Sequence, residues 1–335
     1  MTNLTRRTLI KASGAGLAVA ALGAPAIVRA QTPVRIGYLH TLAVDGQMWL
    51  ADHLGHWGEQ GLAPEFTQFT TGLELFQAMI GGSIDMLSTG AVISNFPARG
   101  QGKMFLTNCI EFATAQLWVN PEMGVSTFED LRGKRISTTR GTTAHVFLDT
   151  ALRANGLTPD EDVEIINQRM SEAVTSFISG AVPAVALWVP FNISVRDQLP
   201  NATMLVDASE YYPEAAIVSG WAAENAYFDQ NREVLQNVIR AWAPANDFLV
   251  NEPDEALTIL QEKYYPNVPL SDLKEQYQAQ RAFVASEWVE LYEDGTVTGW
   301  LDQVTDFYVS VGGIENPVRA DEYFDPSLYV ETIGS

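Results

Sequence analysis

Cysteine is almost missing from this chain: Cys109 stands alone in 335 residues. One cysteine cannot close an internal disulfide, and it cannot build a cysteine-ligated metal site. It lies in the apolar run MFLTNCIEF, where a buried structural thiol is expected. Histidine is scarce too, with four in the chain. His53 and His56 are three residues apart, and no cysteine or carboxylate set completes them, so no metal is expected. Positive charge is in short supply, with 20 Lys and Arg against 41 Asp and Glu and a formal net charge of −21. That balance argues against nucleic acid and anionic membrane as partners. It leaves room for a small anionic ligand, which backbone N–H groups can hold locally. The G-x-S-x-G, H-E-x-x-H, P-loop and G-x-G-x-x-G patterns are all absent, so an enzyme is not expected and no cofactor is implied. Beyond the first thirty residues no run is apolar enough to span a membrane.

What the chain does have begins at its N-terminus. Thr5-Arg6-Arg7-Thr8-Leu9-Ile10-Lys11 is a twin-arginine pattern, an Ala/Gly-rich apolar run follows from 12 to 28, and Val28-Arg29-Ala30 offers small residues to a signal peptidase. Residues 1–30 therefore read as a twin-arginine export signal, cut before Gln31. The alternative, a permanent anchor, is disfavoured because the run is short and interrupted by Gly and Pro. No cysteine follows it to carry a lipid. Loss of this segment leaves 16 basic residues against 41 acidic, a net −25. The mature protein is expected outside the cytoplasmic membrane, in the periplasm.

From Val34 onward short apolar strands alternate with amphipathic helices. VRIGYL (34–39), APEFTQF (63–69), IDMLSTG (84–90), MFLTNCIEF (104–112), AQLWVN (115–120), KRISTT (134–139), VEIINQR (163–169), AVALWV (184–189) and TMLVDAS (203–209) read as strands. Residues 48–62, 74–82, 128–133, 145–156 and 171–180 read as helices, and the chain after Tyr227 is mostly helical. This alternation is the grammar of an α/β fold. LFQAMIGGSIDMLSTG and VTSFISGAVPAVALWV repeat one unit: helix, glycine, small residue, strand. Two similar lobes facing one another would account for the repeat, although α/β proteins often reuse this local pattern. The chain would cross between the lobes near 113–121 and return near 211–221.

The stretch RGTTAH, 140–145, joins the end of the KRISTT strand to an apolar-periodic helix. A helix start leaves backbone N–H groups unpaired and carries partial positive charge. Thr142 or Thr143 could simply cap it. Gly141, two adjacent hydroxyls and a position just beyond a strand's carboxyl end also fit an anion site.

Several segments together resemble one family. FEDLRGKRIS followed by RGTTAHVFLDTALRANGL, then LELFQAMIGGSIDMLSTGA, ISGAVPAVALWVPF, AAIVSGWAAENAYFDQNREVLQNVIRAW and WLDQVTDFYVSVGGI are similar to the corresponding segments of periplasmic solute-binding proteins for sulfonates, nitrate and taurine. That family also holds thiamine-pyrimidine synthesis-like binding proteins. The resemblance covers nearly the whole mature chain. It implies an α/β, two-lobed periplasmic binding protein (type II) with two crossover strands and a cleft between the lobes. The implied division is 31–116 and 219–335 for the first lobe and 117–218 for the second.

The resemblance also implies the site and the role. An anionic head group would meet Gly141, Thr142 and Thr143. Opposing groups would come from the Thr70-Thr71-Gly72 and Ser88-Thr89-Gly90 loops, and Trp188 would wall the pocket. His40 at the end of the first strand, Gln47 and Glu111 are further ligand-binding candidates, and Trp221 could stack near the cleft. His145 reads as packing or capping support. The family often has Asp at the second-lobe turn and Trp-Asp-Pro in the next loop, whereas this chain has Pro183 and Trp188-Val189-Pro190. The pocket is thereby more apolar on that side, which favours a sulfonate or carboxylate with an apolar or aromatic body over taurine, unless Glu111 supplies a charge. The expected role is the extracytoplasmic substrate-binding component of an ABC importer for a small oxyanion-bearing organic solute. Its partners would be an anionic or zwitterionic ligand and a permease–ATPase complex, with the binding protein a monomer. The alternatives are a binding protein for a pyrimidine thiamine precursor or an aromatic carboxylate, and a periplasmic ligand sensor. A pyrimidine-synthesis enzyme is disfavoured by the export signal and by the absence of a cysteine-rich motif.

Overall fold

The computed structural model describes residues 31–334; the expected export signal lies outside the described residues. Two five-stranded sheets organise the chain. The first contains β1 (Thr32–Leu39), β2 (Leu62–Phe69), β3 (Met86–Thr89) and β4 (Lys103–Ile110). The second contains β5 (Ala115–Val119), β6 (Arg135–Thr138), β7 (Glu164–Asn167), β8 (Ala184–Trp188) and β9 (Thr203–Asp207). The chain then returns to the first sheet as β10 (Val218–Ala223).

The strand orders are β2-β1-β3-β10-β4 and β7-β6-β8-β5-β9. The two are the same diagram. In each, three strands run parallel, as β1 does with β2 and β3 and β6 with β7 and β8. In each, one strand delivered from the other sheet inserts antiparallel in the fourth place: β10 between β3 and β4, and β5 between β8 and β9. The helix–glycine–strand echo in the sequence is the local trace of this two-lobed repeat. The two passages between sheets, after Ile110 and after Asp207, therefore run side by side.

Parallel strands covered on both faces need continuous apolar runs. β3 and most of β4 are buried at every position, including Met86, Leu87, Phe105 and Leu106. Helices cover the sheets. α1 (Leu42–His53), the short α2 (His56–Glu59) and α3 (Gly72–Ile80) belong to the first. α4 (Thr143–Ala154), α5 (Met170–Ile178) and α6 (Phe191–Gln198) belong to the second. After β10 come α7 (Asn225–Gln230), α8 (Arg232–Asn251), α9 (Pro253–Lys263), α10 (Leu270–Gln278), α11 (Ala285–Glu293), α12 (Thr296–Ser310), α13 (Ala320–Tyr323) and α14 (Pro326–Ile333). α8 packs against α1 and β4, which returns the helical C-terminal region to the first lobe. Among the described residues no helix is long and apolar enough to cross a membrane.

Two expectations shift. The helix expected over 48–62 starts at Leu42 and breaks at Gly55, which has φ +81°. Residues 42–47 include Asp45 and Gly46, both poor helix formers. Burial overrides propensity here: Asp45 is fully enclosed and accepts from Trp49 Nε1 at 3.0 Å, and Gly46 lies against Leu42. The expected helix over 128–133 is a single 3₁₀ turn, Glu129–Leu131.

β10 is the strand with least tolerance. A Cβ on Gly220 would stand 2.4 Å from the Leu106 carbonyl oxygen and 2.5 Å from Met104 Cε. Backbone in a central strand cannot yield as a side chain can. Gly220→Ala is therefore expected to lower unfolding free energy by about 1–3 kcal/mol, read as a lower urea midpoint at unchanged slope.

Candidate functional site

Three helices begin at one place. β1 leads into α1, β2 into α3 and β6 into α4, and the N-cap residues are Thr41, Thr71 and Thr142, all in extended backbone. The three threonines line a single cavity. The first amides of a helix have no acceptor within it, and the helix end carries roughly half a positive charge. The cavity thus meets three positive helix ends. Gly72 and Gly90 let the chain come this close: a Cβ would stand 2.3 Å from Thr89 Oγ1 at Gly72 and 2.2 Å from Glu111 Oε1 at Gly90.

Neither threonine of RGTTAH caps its own helix through its side chain. Thr142 Oγ1 donates to the Thr139 carbonyl at 2.7 Å. Thr143 reaches across to the first lobe, where its Oγ1 accepts from the Ala91 N–H at 3.1 Å and donates to Glu111 Oε1 at 3.4 Å. Thr89 Oγ1 is buried in the cavity wall and has no hydrogen-bond partner. Leu39, Val44, Val92, Val189 and Trp188 supply the apolar walls, with the Trp188 ring edge-on to Phe191 at 5.7 Å.

Glu111 has the only ionisable side chain among the cavity-lining residues. It is 5% exposed, and Thr114 Oγ1 donates to its Oε2 at 3.2 Å. Burial pushes its carboxyl up to about 7, opposed only by the hydrogen bonds from Thr114 and Thr143.

Of the expected site residues, Thr71, Gly72, Thr89, Gly90, Glu111, Thr142, Thr143 and Trp188 come together around the cavity. Three do not. His40 lies outside it, stacked on Tyr265 at 4.3 Å with Nδ1 3.5 Å from Asp45 Oδ2. β1 ends at Leu39, and the Thr41 N–H donating to the Leu39 carbonyl at 2.8 Å makes a tight turn at His40, with Leu39 and Thr41 on the cavity and His40 outside it. Gln47 is fully buried and donates to the Asn108 carbonyl and to Asn246 Oδ1. Gly141 has both backbone groups engaged: its N–H donates to His145 Nδ1 at 3.1 Å and its carbonyl accepts from the Tyr308 hydroxyl at 3.1 Å. Trp221 is also buried away from the cavity, donating to Asn108 Oδ1 at 2.8 Å. Thr41, Ala43 and Thr114 were missed. Thr41 had a readable signal, since it precedes a helix after a strand as Thr71 and Thr142 do.

Further contacts join elements of the two lobes. Glu275 on α10 accepts from Asn192 Nδ2 at 2.8 Å and from Arg196 Nη1 at 2.7 Å, both on α6.

Residues 46–256, more than half of the chain, match the family described as NMT1/THI5 like. The chain belongs to the NMT1/THI5-like family. A protein of Brucella abortus described as a candidate binding protein is 28% identical over 292 residues, spanning 87% of this chain and 90% of that one. A candidate aliphatic sulfonates-binding protein of Escherichia coli is 24% identical over 266 residues, 76% and 78% of the two chains. Among solved structures, the alkanesulfonate-binding protein SsuA of Xanthomonas axonopodis pv. citri, bound to MOPS, superposes with a TM-score of 0.72 at 18% identity, over 88% of this chain and 98% of that one. The periplasmic nitrate-binding protein NrtA of Synechocystis PCC 6803 gives 0.69 at 13% identity, over 91% and 89%. At such identities the likeness is one of fold: this NMT1/THI5-like chain has the two-lobed architecture of periplasmic binding proteins.

His145 gives this region a pH signature. Burial first, and then the nearby Arg140, hold the imidazole down to about 4, and the Gly141 N–H donating to Nδ1 puts its proton on Nε2. The unfolded state binds this proton from about pH 6.5 downward while the folded state refuses it until about pH 4. Stability is present above pH 6.5 and is lost as pH falls through that window, by up to about 3 kcal/mol. In His145→Gln the decline in unfolding free energy between pH 6.5 and 4 is expected to be shallower, as urea titrations at each pH will show.

Proposed function

We propose that the protein is the extracytoplasmic substrate-binding component of an ABC importer, exported by the twin-arginine signal in residues 1–30, and that it does no chemistry on its ligand. The ligand is a small organic solute with an oxyanion head, of the sulfonate, taurine or nitrate class. Its head group lies at the convergence of α1, α3 and α4, and its body lies against Val92, Trp188 and Val189. Residues 31–116 and 219–335 act as one lobe and 117–218 as the other, with the paired passages after β4 and β9 as hinges.

One observation carries this reading: three threonine-led helix N-termini meet in one apolar-walled cavity, beside the unpartnered Thr89 hydroxyl. Helix N-termini bind anions through amides and dipole together, with no fixed cation needed. The ligands named for the similar proteins, aliphatic sulfonates and nitrate, belong to the same chemical class. The apolar walls extend the class to aromatic carboxylates.

The test is a thermal-shift screen of mature protein from Gln31, freed of carried-over ligand, against alkyl and aryl sulfonates, taurine, nitrate, aromatic carboxylates and pyrimidines. A ligand that binds the folded state raises the melting temperature with concentration. A shift with an anionic class is expected. Thr89→Val keeps the side-chain shape and removes its hydroxyl, and is expected to weaken that ligand by roughly 5- to 20-fold, one hydrogen bond's worth. A shift only with neutral pyrimidines, or none with any anion, would overturn the reading.

A further inference from the structure

The cavity walls contain a carboxyl group and no cation. Glu111 is enclosed in the wall of a site otherwise built from amide ends, hydroxyls and hydrocarbon. Its two hydrogen-bonding side chains, Thr114 and Thr143, are both neutral. An ionised carboxylate and an anionic head group in one desolvated cavity repel each other, and like charges at such a site force one of them to stay protonated.

The groups around Glu111 do not change this. On β4 the Cys109 thiol is buried and held protonated, well above its usual range. On α12 the Tyr308 hydroxyl is likewise pushed up by burial. On α4 His145 stays neutral down to about 4. Arg281 bonds backbone to backbone with Ile110, but its guanidinium lies over the rings of Tyr212 and Phe283. Arg99, behind Tyr308, donates to Asn95.

Resting on the anion reading above, we propose that Glu111 is a proton-linked selector: it admits an anionic head group only as the neutral carboxylic acid, donating its proton as a hydrogen bond to a ligand oxygen. The balance is ionised Glu111 plus one proton from solvent plus the anion, giving neutral Glu111 with the anion bound. No bond other than O–H is made. In the ionised state both carboxyl oxygens accept from protein hydroxyls, and an oxyanion in the cavity would offer the acid proton a charged acceptor that these neutral hydroxyls do not. The carboxyl, raised to about 7, changes charge within the ordinary pH range, so selection operates there. The solute class is thereby narrowed to anions that carry no ammonium group.

The experiment is isothermal calorimetry of the mature wild-type protein with ethanesulfonate and benzenesulfonate, which do not titrate in this range, and with taurine, between pH 5.5 and 9. Each titration is run in buffers of different ionisation enthalpy to count protons. Sulfonate affinity is expected to be level at acid pH and to fall about tenfold per pH unit above about pH 8, with close to one proton taken up per anion there. In Glu111→Gln, whose amide still donates, the slope and the proton uptake are expected to vanish while binding at pH 6 remains. The proton count on wild type stands even if that variant folds poorly. Sulfonate binding without pH dependence, or a slope that survives in Glu111→Gln, overturns the selector and leaves the anion reading intact. Taurine affinity that rises with pH makes Glu111 a counter-ion and also overturns it. Absence of binding by any sulfonate at any pH defeats the anion reading itself.

Discussion

The paired crossings of the chain are the constraint on which the rest depends. β10 is inserted antiparallel between β3 and β4, and β5 antiparallel between β8 and β9. Val218 pairs with Ile110 where the two passages meet the first sheet, and Gln116 pairs with Asp207 where they meet the second. Each lobe therefore holds a strand that the other lobe sent. In the proposed two-lobed reading this double tether would resist sliding and leave rotation about the two adjacent passages as the easy motion. It also points the carboxyl ends of β1, β3, β6 and β8 at a common space. In open α/β sheets that is where ligands lie, because helix N-termini follow those strand ends.

Charge in this protein works at two ranges with opposite sign. The chain as a whole carries −21, which repels an anion at a distance. Salt screens that field beyond about 8 Å at physiological ionic strength. Within the cavity, contact with three helix ends of roughly half a positive charge each decides the balance. Fixed cations are not needed, and none lines the cavity. The one group able to upset the arrangement is Glu111, whose burial keeps it near the point of neutralisation.

The bonds between the lobes are modest. The Arg196–Glu275 pair is partly exposed, and pairs of that kind contribute about 0–1 kcal/mol. Thr143 contributes one amide-to-hydroxyl bond and one long bond to Glu111. Such contacts bias an arrangement without locking it, as the proposed closure on a ligand requires. The sheets behave differently. Their continuous buried runs and the close approach at Gly220 make each lobe rigid.

The sequence by itself determined the elements and their order. Apolar runs such as MFLTNC and AVALW read as buried strands, the export-type leader and the helical C-terminal region stood apart by composition, and Thr142 and Thr143 marked a helix start by local chemistry. Of the eight expected residues around the cavity, Thr142 and Thr143 were legible from the chemistry of a helix start and Glu111 from its place at a strand end, whereas Thr71, Gly72, Thr89, Gly90 and Trp188 were implied by the family resemblance. Tertiary structure alone decided the rest. A tight turn just after β1 left His40 outside the cavity and Thr41 on it. Gln47 looked available but is consumed by Asn108 and Asn246, distant in sequence, and Gly141 by His145 and Tyr308. The enclosure that raises the Glu111 carboxyl depends on Gly90 and Thr143 arriving from other segments, while Thr114, three residues away on the same passage, only opposes the shift. Periodicity and capping are written over a few neighbouring residues, whereas enclosure is set by segments that meet only after the chain has crossed between lobes twice.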